Sequence, residues 1–241
     1  MQVTDFVAVD HVLSVIQETA CFETYTLSMV FANAAARAGV AGKAGEPGTA
    51  KAYYTAWISG LGQLGWAVRE GGSTRMANRG GQATTTLASE ISARVQAEAP
   101  DIPIAAMLAA LQPASGTAPP AALSFWWGHA TSIPGTIHLT FANVSAPSGT
   151  VKLSAAALML DTGTLQAPKA RLLGKPQPVD CSSFTCLSSD VLASSVNLAS
   201  HYIVATVDLQ AFAPQRSDLQ ARMGDKAQDH IVPFPPNVLK S

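Results

Sequence analysis

One stretch constrains the fold of this chain more than any other: Leu123 to Leu160. Ile137, Leu139 and Phe141 alternate with Thr136, His138 and Thr140, and Val151 and Leu153 alternate with Thr150, Lys152 and Ser154. A period of two is the signature of a strand with one buried face. Between the two runs, Ser145-Ala-Pro-Ser-Gly149 offers a fixed φ at Pro147 and a permissive Gly149, which is turn chemistry. The pattern predicts a β-hairpin over residues 136–160, with Phe125, Trp126 and Trp127 opening the strand before it. It also predicts that His138 points to solvent or into a polar interface.

Upstream, the spacing reads as helical. Thr4 and Asp5 are cap candidates, and Phe6, Val9, Leu13, Ile16, Ala20, Leu27, Val30 and Ala34 keep 3–4 spacing. Gly39 and the glycine-rich connector after it stop the pattern. A second helix is predicted from Thr49 to Arg69, where Trp57, Leu61, Leu64 and Val68 share a face. A third runs from Thr84 to Ala99, and a short fourth opens after Asp101 and Pro103. Residues 113–122 are rich in Pro, Ala, Ser and Gly and have linker composition. Beyond the hairpin, His201 to Phe212 reads as a strand with both faces apolar in its first half, as in a central strand. Ser217 to Lys226 suits a short helix, and Ile231-Val-Pro-Phe-Pro-Pro236 an extended tail whose Phe234 needs a surface to bury against.

The expected architecture is therefore α+β: an N-terminal helical bundle (1–112), an antiparallel β-rich, sandwich-like domain (123–213), and a tail with a short helix and an extended proline-rich end (214–241).

Composition narrows the function. Charged residues are 13% of the 241, about half the ~25% usual in soluble proteins. Low charge gives little repulsion between copies and leans toward a protein that covers its surface with another. The net charge of −1 is spread without a basic block, which disfavours nucleic acid as a partner. Apolar runs fall short of the roughly 20 residues that a spanning helix needs. The first residues lack the basic region and cleavage pattern of a signal peptide, so the expectation is synthesis in the cytoplasm and, if exported, release by a signal-independent route. Cys181 and Cys186 could close a small loop by a disulfide or remain free thiols.

Motifs that would carry chemistry fail in context. Gly60-Leu-Gly62-Gln-Leu-Gly65 matches a dinucleotide fingerprint in letters, but the segment before it carries helical aromatics where the motif needs a strand. His11, His129, His138, His201 and His230 show no metal-ligand spacing. No Gly-x-Ser-x-Gly elbow is present, and the aspartates are dispersed. No catalytic, cofactor-binding or metal-ligating residues are expected.

What remains is a non-catalytic protein that self-associates, as a homo-oligomer, or binds a protein partner. The interaction residues expected are Trp126, Trp127, Ile137, Leu139, Phe141, Val151, Leu153 and Phe234. The alternative is a soluble pore-forming toxin that inserts the 136–160 hairpin or an apolar helix into membrane lipid; strands of 9–11 residues span a bilayer in β-barrels.

Overall fold

The computed structural model describes residues 5–42, 49–76, 86–111, 121–133, 135–161 and 197–234. In chain order these hold β1 (Asp5–Val9), β2 (Val12–Ile16), α1 (Phe22–Gly39), α2 (Thr49–Gln63), β3 (Ala67–Met76), α3 (Leu87–Glu98) and α4 (Ile104–Ala110). Then follow α5 (Ala121–Ala130), β4 (Thr136–Ser145), β5 (Thr150–Asp161), β6 (Leu198–Asp208), α6 (Leu209–Met223) and β7 (Ile231–Pro233). The Cys181–Cys186 segment and most of the linker 113–122 lie outside the described residues.

The strands form one seven-stranded sheet in the order β3-β6-β5-β4-β2-β1-β7. Neighbours are antiparallel except β2 and β4, which run parallel. Helices α3, α4 and α5 cover one face and α1, α2 and α6 the other, so two separate cores sandwich the sheet. The expected helical bundle followed by a sandwich-like antiparallel domain is thus corrected: the sheet is mixed, helices are interspersed with strands, and β2 joins β4 across the proline-rich linker.

The largest misreading is the first helix. Every residue from Phe6 to Ile16 is buried, so an apolar side chain sits at each position that a helical template samples. A strand covered on both faces has no polar alternation to betray it. Val7, Val9, Val12, Val15 and Ile16 supply the β-branched bulk that favours strand over helix. The helix starts only at Phe22.

Other boundaries shift for local reasons. Gly65, at φ +82°, turns the chain out of α2, and residues expected to extend that helix enter β3. Asp101 caps no helix; its carboxylate accepts from Lys152 and Ser154 of β5. Asp208 ends β6 and caps α6, accepting from the backbone N–H groups of Gln210 and Ala211. The hairpin 136–160 is present as β4 and β5, in register from Thr136↔Asp161 to Ser145↔Lys152. Its turn places Ser148 and Gly149 at positive φ. Trp126 and Trp127 open no strand but lie in α5.

Candidate functional site

Asp10 and His11 make the two-residue turn between β1 and β2, with Val9 paired to Val12. Asp10 holds φ at +52°, a region that Asp and Asn tolerate better than other side chains. The turn is no solvent-exposed corner: both residues are buried. The Asp10 carboxylate accepts from Nη1 of Arg37 (2.9 Å) and Nδ2 of Asn33 (3.1 Å), both on α1. It also faces Nδ1 of His230 at 2.7 Å and Nδ1 of His129 at 3.3 Å. His129 comes from the last turn of α5, and His230 from the end of the 3-10 segment Gly224–His230. Burial would raise the Asp10 carboxyl, but Arg37, the hydrogen bond from His230 and the charge of the two imidazoles outweigh it and hold it below the usual range.

The network continues inward. Asn33 Oδ1 accepts from Trp57 Nε1 of α2 at 3.0 Å, and the His11 carbonyl accepts from Trp126 Nε1 at 2.9 Å. Both indole donors are satisfied without water, so the turn is fixed from both faces of the sheet.

Beside this turn, α2 and the centre of the sheet border a small recess whose internal space is about 10 Å³, room for about one water. His11, Tyr53, His138 and Thr140 supply its polar lining. Tyr54, Trp57 and Met159 wall it with Ala157 and Leu158. Tyr53 Oη lies 3.3 Å from His11 Nδ1, and its ring meets His138 edge-on at 4.7 Å between centroids. Tyr54 stacks on His201 at 3.9 Å. Of the two settings expected for His138, solvent is excluded: it is only 4% exposed, because α2 covers the face of β4 that a one-sided strand would leave wet. Its Nε2 is buried and has no hydrogen-bond partner among the described residues. Burial pushes His138 down to about 4, and burial together with His138 pushes His11 down to about 3. Both imidazoles are neutral at pH 7.

All five histidines therefore lie in or beside one connected region, two on Asp10, two at Tyr53 and one on Tyr54. Sequence reasoning missed this because the residues come from the β1–β2 turn, α5, β4, β6 and the 3-10 segment, and no spacing links them. One signal was present: Asp10-His11 is a polar pair between two valine-rich runs, which is hairpin punctuation. Among the described residues no group of three or more His, Cys, Asp or Glu could hold a metal ion, and no helix is long and apolar enough to cross a membrane.

The eight residues expected to meet a partner are all buried. Trp126, Trp127, Ile137, Leu139, Phe141 and Phe234 pack in the core under α3, α4 and α5. Val151 and Leu153 pack in the core on the opposite face. Phe234 docks on its own sheet, its N–H donating to the Phe6 carbonyl at 2.9 Å.

Comparison of the chain with protein-family models, with curated proteins and with solved structures finds no significant match in any of the three. The fold and the site define it by their own geometry, as a three-layer α/β/α protein with a histidine-lined recess against its central strands.

Proposed function

We propose that the protein is a non-catalytic binding protein whose recognition site is the recess between α2 and the sheet. One observation carries this reading: His138 lines the recess, and its buried Nε2 has no hydrogen-bond partner among the described residues. Leaving such a group unmatched costs about 1–3 kcal/mol, and a ligand that completes its hydrogen bond recovers that cost. The supports around it are built to hold still, since Trp57 is pinned through Asn33 to Asp10 and Tyr53 abuts both His11 and His138. Imidazoles titrating near 3 and 4 are weak bases at neutral pH, which favours holding a ligand over moving its protons. The test is a small-molecule panel followed through the ¹⁵N signals of the histidine side chains. Saturable movement of the His138 signals, lost when Ala157→Leu fills the recess, supports the reading; a panel that leaves them unmoved overturns it.

A second reading, self-association, is favoured by the sheet itself. Among the described residues the ten-residue strand β3 lies at the end of the sheet and pairs with β6 alone, and a sheet edge of that length can template a second copy. Light scattering tests it. Insertion of the 136–160 hairpin into membrane lipid would first have to draw β4 and β5 from between two helical layers; dye release from vesicles is its test.

A further inference from the structure

We infer that the recess is the site of one buried water molecule, hydrogen-bonded to His138 Nε2 and held between the Thr140 hydroxyl and the Tyr53 phenol. The inference rests on the same site as the binding reading and names the molecule resident there. A larger ligand enters only by a single group that takes over the water's bond to His138.

The space has its origin in two paired strands. His138 and Thr140 lie two residues apart on β4, in register with Met159 and Ala157 of β5, and all four line the recess. Ala157 presents only a methyl group opposite Thr140, and Tyr53, Tyr54 and Trp57 of α2 roof the gap. The roof is held off the sheet: Trp57 is bonded to Asn33, and Tyr53 abuts both His11 and His138. About 10 Å³ is left inside. One water needs roughly 10–15 Å³, whereas a cavity that holds benzene measures roughly 150 Å³. Size therefore admits a water and excludes a ring.

A buried water also needs polar partners, typically two to four. His138 Nε2 is the first, since it has no other among the described residues. A neutral imidazole nitrogen donates in one tautomer and accepts in the other, and water can answer either. The Thr140 hydroxyl is the second, on the same face of β4. The third is Tyr53 Oη, which lies 3.3 Å from His11 Nδ1 and keeps capacity for a further bond. A cation does not compete for the space. No carboxylate lines the recess, so an ion would shed its hydration with no opposite charge to meet it.

The experiment counts long-lived waters in the full chain by ¹⁷O magnetic relaxation dispersion, which registers waters that stay bound longer than the protein takes to tumble. Ala157→Leu, which fills the recess, should remove one water from the wild-type count. His138→Leu, which leaves the space but takes away the orphaned nitrogen, should remove the same one. A crystal structure of the wild-type chain should place an ordered water at hydrogen-bond distance from His138 Nε2, about 2.7–3.2 Å. An equal count in wild type and both variants, or a crystal structure with no water at Nε2, overturns the inference. The binding reading is judged separately, by the small-molecule panel. If compounds move the His138 signals while the water count is equal in all three chains, the water falls and that reading stands. If the count drops by one in both variants and no compound moves His138, the water stands and that reading falls.

Discussion

His230 donates to Asp10 at 2.7 Å across 220 residues of sequence, and the Asp10 N–H donates back to the His230 carbonyl at 3.0 Å. This reciprocal pair ties the C-terminal segment to the first hairpin. With Arg37 and His129 it makes Asp10 the point where α1, α5, the 3-10 segment and the sheet meet.

Asp10→Asn should therefore destabilise the protein by about 3 kcal/mol. The change keeps a side chain that tolerates positive φ but turns an amide N–H₂ toward Arg37 and Asn33, which are donors. Breaking a buried pair costs roughly 3–5 kcal/mol; the partial exposure of Arg37, His129 and His230 places this one at the low end. Urea unfolding should show the loss, with a fall in melting temperature of about 6–12 °C at this chain length. Asp10→Ala should lose more, since alanine also resists the backbone at φ +52°. An unchanged midpoint in Asp10→Asn would mean that the carboxylate is not what holds the turn.

Acid should unfold the protein earlier than carboxylates alone predict. His11 and His138 titrate near 6.5 when unfolded and near 3 and 4 when folded. Between those values the unfolded chain binds more protons, so stability falls as pH drops below about 6.5 and keeps falling toward 4. His138 alone accounts for about 3 kcal/mol over that window. Asp10, held below its ordinary value, adds a loss of the same sign that begins lower, near its unfolded value. Denaturation midpoints measured from pH 7.5 to 4 should decline steadily, and His138→Leu should flatten the decline between pH 6.5 and 4.

Two glycines of α2 should respond in opposite directions. A Cβ on Gly60 would sit 3.0 Å from the Ala32 backbone and 3.4 Å from Ala35, so Gly60→Val should force α1 and α2 apart at a cost of about 2–3 kcal/mol. A Cβ on Gly62 meets nothing within 4 Å, and Gly62→Ala should gain about 0.5 kcal/mol from helix propensity. Thermal unfolding of the pair separates packing from propensity. Equal effects would sink the close-approach account of Gly60.

The pattern of what could be read in advance follows from burial. β4 and β5 were legible because Thr136, His138, Thr140, Lys152 and Ser154 interrupt their apolar residues at every second position. Yet His138, Thr140 and Ser154 are buried, so the alternation that located the strands gave the wrong environment for their polar side. β1 and β2 were illegible for the opposite reason, having no polar interruption except Asp10-His11 and Ser14. The low charge has a related origin: a sheet covered on both faces can carry few ions, which lessens its force as a sign of self-association. The site was hidden because its contacts are tertiary. Nothing in the spacing of His129 and His230 says that both reach Asp10.

Self-association makes the last prediction. If the β3 edge of the sheet recruits a second copy, the molar mass by light scattering should be twice 25.0 kDa, or a higher multiple if assembly continues. Backbone pairing at an edge depends little on salt, unlike ion pairs between exposed charges, so the mass should hold from low to high ionic strength. The tail gives a contrasting probe. Phe234 is buried in its own chain and β7 pairs with β1, so removing residues 231–241 should lower stability without dissociating an assembly held by β3. A mass of 25.0 kDa at every concentration would remove the self-association reading and leave the recess to account for the function. An assembly that dissociates on loss of the tail would instead move its interface from β3 to the β7 side of the sheet.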